Sequence, residues 1–357
     1  MKALRMAMMS AVAGLLIAGS AKAVDNTITI YDGGGVTNMS GDYYVGMYGT
    51  NNYLEVRNGT TFTNSGSAYI GYYGNYNRAV ITGGGSSWKQ GVDLYVGQGG
   101  AGNRLLVTNG ASLNTIGVGY VGMSASDLAN IVQVTGAGSS WTVQDHIVVG
   151  YVAPLNQIVV DHGGALNCGG TVWIGFVQDS NQMTVASGGI VTAQQIYVGV
   201  YWVSTPGLNN ACTVQGGTLI ATNADGTGWL RVNNSGILTV SGGSVVRADY
   251  LTLDEVASAP CTLNFVANAS GLGAIAVANT FTIGANTKLN IDLTHYAPAQ
   301  TEILTLVKYG AMPVALNPAN VTITGSPGNL AVRQSGSTNG RLMLQPTAWV
   351  GPSVRVR

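Results

Sequence analysis

A phrase that returns every 25 to 29 residues constrains this chain more than any other feature. It reads ITIYDG, YLEVRNG, RAVITGG, RLLVTNG, IVQVTGA, QIVVDHG, QMTVASG, ACTVQGG and ILTVSGG. Equivalent residues fall at Gly33, Gly59, Gly84, Gly110, Ala137, Gly163, Gly188, Gly217 and Gly243. A second phrase ends 11 to 13 residues after each marker, at Gly46, Gly71, Gly97, Gly122, Gly150, Gly175 and Gly199, with a degenerate copy at Trp229-Leu230-Arg231. A unit this short, with two strand-like runs and glycine corners, cannot bury its own apolar face, whereas stacked copies can. The pattern predicts an all-β chain, a parallel β-helix (β-solenoid) of about nine to ten 26-residue coils.

Composition agrees. Charged residues make up only 8% of the chain and 52 of its 357 residues are glycine. Low charge removes the solvated faces that surface helices need, and each helical glycine costs about 1 kcal/mol relative to alanine. A helical protein is excluded. The high aliphatic and aromatic content and zero formal net charge argue against disorder. Fifteen Lys and Arg against fifteen Asp and Glu leave no basic footprint, so nucleic acid is not an expected partner.

Strand alternation then assigns sides. Apolar pairs five and three residues before each first marker, from Ile28/Ile30 and Leu54/Val56 to Leu238/Val240, are predicted to face inward. So are Val45, Ile70, Val96, Val121, Val149, Ile174 and Val198, just before the second markers. Seven residues before each first marker stands Asn26, Asn52, Asn77, Asn103, Asn130, Asn156, Asn181 or Asn210. Stacked one per coil, these amides are expected to form a ladder that satisfies corner backbone, a structural role. Two residues before the second markers, Tyr44, Tyr69, Tyr95, Tyr120, Val148, Trp173, Tyr197 and Trp229 are predicted to point outward as an aromatic stripe. Polar residues such as Asp42, Ser67, Asp93, His146, Thr171 and Gln195 flank it. Rings with hydrogen-bonding neighbours suit sugars or another protein's apolar surface. Stacking that merely stiffens the sheet is the structural alternative.

Residues 1–23, with Lys2 and Arg5 before an apolar run and Ala21-Lys22-Ala23 at its end, read as a signal peptide. Residues 24–250 form the repeat solenoid and 251–345 a C-terminal β-rich cap that covers the unpaired end. Residues 346–357 form a tail. No segment after the signal is apolar for about 18 residues, so no transmembrane anchor is expected in the mature chain. Cys168, Cys212 and Cys261 are scattered and read as small buried hydrophobes.

The stretch from Val80 to Trp141 reads VITGGGSSW, DLYVGQGGAGNRLLVTNGASL, GYVG and VQVTGAGSSW. It resembles the β-helix repeat shared by type V autotransporter passengers and PEP-CTERM-associated proteins of Gram-negative bacteria, over about residues 26–246. The resemblance implies a right-handed parallel β-helix displayed outside the inner membrane, as an adhesin or surface structural element. The pattern departs from it after residue 250, where no translocator barrel is expected, and at the VRVR end, which carries no Pro-Glu-Pro motif.

Trp88 and Trp141 end equivalent phrases and are expected to fill the core or a corner. Asp145-His146 and Asp161-His162 are adjacent acid-imidazole pairs, but neighbours on a strand face opposite ways, so neither a metal site nor an acid-base pair is expected. No cofactor is predicted. The enzyme alternative is a polysaccharide lyase or hydrolase whose site is not located. Asp42 and Asp93 share a coil position, with Ser67 between them, which separates them by about 10 Å. An ice-binding face is set aside because no threonine row across consecutive coils is expected. The reading is therefore a secreted or cell-surface structural or adhesive rod that presents its aromatic stripe to extracellular glycans, to other surface proteins or to further copies of itself.

Overall fold

The computed structural model describes residues 25–199, 207–253, 259–298, 302–325 and 329–347. The expected signal peptide and the tail beyond residue 347 lie outside them. The described chain is a β-solenoid. Strands of three to five residues recur on three faces through the repeat, and each pairs in parallel with its equivalent one coil along. The first face runs from Ile28–Tyr31 through Tyr53–Val56 and Arg78–Thr82 to Val321–Thr324, twelve strands in chain order. The second begins at Val36–Met39 and the third at Tyr43–Met47.

Alternation places the core. Leu54, Ala79, Leu105, Val132, Ile158, Met183, Cys212 and Leu238 pair in register and all are buried. On the second face Phe62, Trp88, Leu113, Trp141 and Leu166 stack inward, so both tryptophans fill the core as the sequence suggested. Their indole N–H groups donate to Asn64 Oδ1 at 2.9 Å and Thr115 Oγ1 at 3.1 Å, which satisfies polar atoms that burial would otherwise penalise. All three cysteines are buried and none is in a disulfide.

The first coil departs from the predicted sides. Ile28 and Ile30 are 69% and 46% exposed. Thr29 and Tyr31 pair with Leu54 and Val56 and turn inward instead. The reason is a one-residue slip: counting from Gly33 rather than Gly34 moves every side chain of that strand to the other face.

The asparagine row forms a continuous amide ladder. Asn77 Oδ1 accepts both the backbone N–H and the side-chain N–H of Asn52, each at 2.9 Å. The same pair of bonds joins Asn77 to Asn103, Asn103 to Asn130, Asn130 to Asn156 and Asn156 to Asn181. The Asn181 backbone N–H continues it to Asn210 Oδ1. Asn26 stands outside the ladder. Its backbone is left-handed, and the amide that donates to Asn52 Oδ1 is that of Thr27. The same slip in the first coil explains this.

The parallel stack continues past residue 250. Thr262–Val266, Lys288–Asp292 and Val321–Thr324 extend the first face. The ten-residue strand Ala274–Ile283 pairs with both Val245–Ala248 and Tyr250–Leu253, so one strand serves two faces. Leu304–Ala311 adds in parallel, and Thr338–Pro346 with Leu330–Ser335 then closes the end antiparallel. That hairpin covers a strand edge that would otherwise template further pairing.

Threonine rows do exist on the outside of the first face. Thr82, Thr108 and Thr135 pair in consecutive coils, as do Thr184, Thr213 and Thr239. The sequence reading missed them because they hold positions other than the ones it tracked. Among the described residues no helix is long and apolar enough to cross a membrane.

Candidate functional site

The third face carries the predicted stripe, and in-register pairing converts it into a column. Tyr44 pairs with Tyr69, Tyr69 with Tyr95 and Tyr95 with Tyr120. Their rings stack at centroid distances of 4.8, 4.8 and 4.9 Å with interplanar angles of 7°, 3° and 5°. Rings stacked face to face at the coil spacing cover each other's faces. What the column turns outward is therefore edges and hydroxyls rather than the open faces the sequence suggested, and a sugar cannot stack within it.

The flanking polar residues are committed to the corners. Asp42 Oδ1 accepts the Ser67 N–H at 2.8 Å, Asp93 Oδ1 accepts the Val118 N–H at 2.7 Å, and His146 Nδ1 accepts the Thr171 N–H at 2.9 Å. The second Asp93 oxygen receives the Tyr95 hydroxyl at 3.0 Å. Burial, followed by the neighbouring carboxylate, raises the Tyr44 phenol to about 12 and that of Tyr95 further still. These hydroxyls stay protonated donors.

Beyond Tyr120 the column is interrupted. Val148 is buried, and Trp173 packs against His146 at 4.8 Å and Phe176 at 6.0 Å. Tyr197 is only 8% exposed. Trp229 is not in this row. Its strand partners are Gln195 and Tyr250, and the residue opposite Tyr197 is Arg231, whose guanidinium lies 4.5 Å from the Trp229 ring. That coil lacks the second-marker glycine, so matching its tryptophan to the preceding tyrosines shifted the register by two residues.

Sequence reasoning missed a second set of rings. The second-marker glycines are left-handed, which breaks alternation, so residues just after them also turn outward. Tyr72 meets Tyr44, Tyr69, Tyr48 and Tyr73 edge to face at 4.7 to 5.6 Å. Tyr48 and Tyr73 stack at 5.7 Å. Tyr48, Tyr73 and Tyr76 are 43%, 58% and 65% exposed. All three sit at φ between 54° and 60°, a region a bulky residue rarely occupies and which costs roughly 1 to 3 kcal/mol. The following coils carry Gly99 and Gly102 in the places of Tyr73 and Tyr76, and those glycines leave the room into which the two rings lie. The clustered tyrosines of YIGYYGNY were the available signal, but alternation alone could not show which of them emerge.

The acid-imidazole pairs are in contact, contrary to the strand argument. His146 Nε2 lies 3.1 Å from Asp145 and His162 Nδ1 lies 3.3 Å from Asp161, because the first pair sits at a corner and the second spans the end of the strand Gln157–Asp161 and the turn after it. Among the described residues no three His, Cys, Asp or Glu side chains group as metal ligands would.

No protein-family profile matches the chain, and neither does any curated protein. Among solved structures, the crystal structure of a TibC-catalysed hyper-glycosylated TibA fragment matches at 16% identity. The match covers 84% of this chain and 95% of the fragment, with a TM-score of 0.26.

Proposed function

We propose that this protein is a non-enzymatic, secreted or cell-surface β-solenoid with a structural and adhesive role, whose tyrosine face engages glycans or partner proteins. One observation carries the reading. Tyr48, Tyr73 and Tyr76 hold exposed rings on left-handed backbone, and the coil after Tyr73 and Tyr76 uses Gly99 and Gly102 in their places. Strain kept at an exposed aromatic cluster is characteristic of a contact surface. The Tyr44 to Tyr120 column beneath acts as its rigid support, and its own outward contribution is ring edges and hydroxyls.

The test is retention of the chain on immobilised polysaccharides, peptidoglycan and surface protein, with reducing-end and unsaturated products assayed alongside. Retention that Tyr73→Ser with Tyr76→Ser abolishes, with no product, supports the reading. Turnover of a polysaccharide overturns it in favour of a carbohydrate-active enzyme, and retention unaffected by the double change overturns the tyrosine face.

A further inference from the structure

The closing end of the solenoid carries a feature unrelated to the tyrosines. Outward on the second face, Arg247 pairs with Ala276, Ala276 with Lys308, and Lys308 with Arg341 across the antiparallel closure. Arg333 stands on the neighbouring strand, two residues from Ser335, the partner of Arg341. All four cations are exposed. Arg247 and Lys308 line a cleft of about 430 Å³ together with Ala276, Ala278, Thr222 and Asn339, and Arg341 and Arg333 stand on the strands beside it.

In a chain with 15 basic residues, four of them converge here, and among the described residues none makes an ion pair. Asp249, the acid nearest Arg247 in sequence, does not neutralise it. Asp249 turns its carboxylate into the corner, where Oδ2 accepts the N–H groups of Asn223 at 3.1 Å and Gly228 at 2.8 Å. Asp225, on the neighbouring loop, pairs with none of these cations. Like charges gathered around a concavity with small neutral walls raise the local concentration of an anion.

We infer that this cleft binds an acidic polysaccharide. Two strand spacings of about 4.8 Å set Arg247 and Lys308 about 10 Å apart along the row. Lys308 and Arg341 stand one spacing apart, so the row's charges are about 5 to 10 Å apart, which suits a polymer with well-separated carboxylates better than a nucleic-acid strand with one phosphate per roughly 3.4 Å. Single-stranded nucleic acid also needs exposed ring faces for its bases, and the ring lining the cleft, Tyr309, is buried. The Ala276 and Ala278 floor leaves room for a sugar chain, and Thr222 and Asn339 supply hydrogen-bonding groups at its sides.

The experiment measures binding of the full chain to polygalacturonate, dextran and single-stranded DNA, at low and high salt. The expected result is salt-sensitive binding of polygalacturonate alone. Arg247→Gln with Lys308→Gln should weaken it at least roughly tenfold, the loss of one charge-assisted hydrogen bond or more. Lys89→Gln with Arg104→Gln removes the same net charge from exposed positions elsewhere and should leave it unchanged. Equal loss in both variants, equal binding of dextran, or tighter binding of DNA overturns the inference. Thermal melting of each variant excludes misfolding as the cause, and the Tyr73→Ser, Tyr76→Ser chain should bind polygalacturonate normally, which separates this site from the tyrosine face.

Discussion

The side chain of Asn103 occupies the space that a Cβ on Gly71 would need. Gly71 is left-handed at φ 81°, and the same relation joins Gly46 to Asn77, Gly97 to Asn130, Gly122 to Asn156, Gly150 to Asn181 and Gly175 to Asn210. The two most regular features of the repeat are therefore one lock. A glycine corner admits the asparagine, and the asparagine's Oδ1 accepts the backbone N–H of the preceding coil's asparagine. Gly71→Ala should cost about 4 kcal/mol in urea unfolding, from left-handed strain plus displacement of the amide. Asn103→Ala should cost about 3 kcal/mol, because the Asn77 N–H loses its acceptor. Since removing the amide opens room for the new Cβ, the double variant should lose about 1 kcal/mol less than the sum. Strict additivity would contradict the lock.

The exposed tyrosines should show opposite effects on stability and contact. Tyr76→Asn places at this corner the residue that Asn51 supplies one coil earlier. Relief of left-handed strain should raise stability by about 1 kcal/mol while retention on the ligand falls. A variant that is both less stable and fully retained would assign Tyr76 a structural role.

Alkali should loosen the tyrosine column. Burial raises the folded-state values of Tyr44 and Tyr95 above the ordinary phenol value near 10, so the unfolded chain loses these protons first. The stabilisation is complete below pH 10 and is lost as the pH rises through the folded values, about 12 for Tyr44. Melting temperature should fall across that window, and Tyr95→Phe should flatten the slope. A slope unchanged by the substitution would show that other groups set it.

The core tryptophans anchor the second face. Trp88→Ala should cost about 3 to 5 kcal/mol through the cavity it leaves. Trp88→Phe should cost less than that yet remain destabilising, because Asn64 Oδ1 loses the indole donor. Equal stability of Trp88→Phe and the parent would mean that this hydrogen bond contributes nothing net.

The cysteines should resist thiol reagents in the native chain. Burial pushes the Cys168 thiol up to about 11 and the Cys212 thiol to about 12, which leaves almost no thiolate at neutral pH. Labelling should follow unfolding. Rapid labelling of either residue in native buffer would show local opening of its coil.

The period, the parallel stack, the inward aliphatics and the ladder from Asn52 to Asn210 could be read from the residues alone. Each is a property repeated once per coil, and repetition averages away local ambiguity. Tertiary structure decided what depends on a single register. Thr27 rather than Asn26 starts the ladder and Arg231 rather than Trp229 follows Tyr197, because a shift of one or two residues in a degenerate coil is invisible to periodicity but changes which side chain faces which neighbour. It also decided that Tyr72, Tyr73 and Tyr76 emerge, since left-handed corners suspend alternation. The same holds for Arg247, Lys308 and the hairpin that carries Arg333 and Arg341: these three segments lie far apart in the chain and meet only because an antiparallel closure follows a parallel stack, and no local pattern encodes which strands will become neighbours.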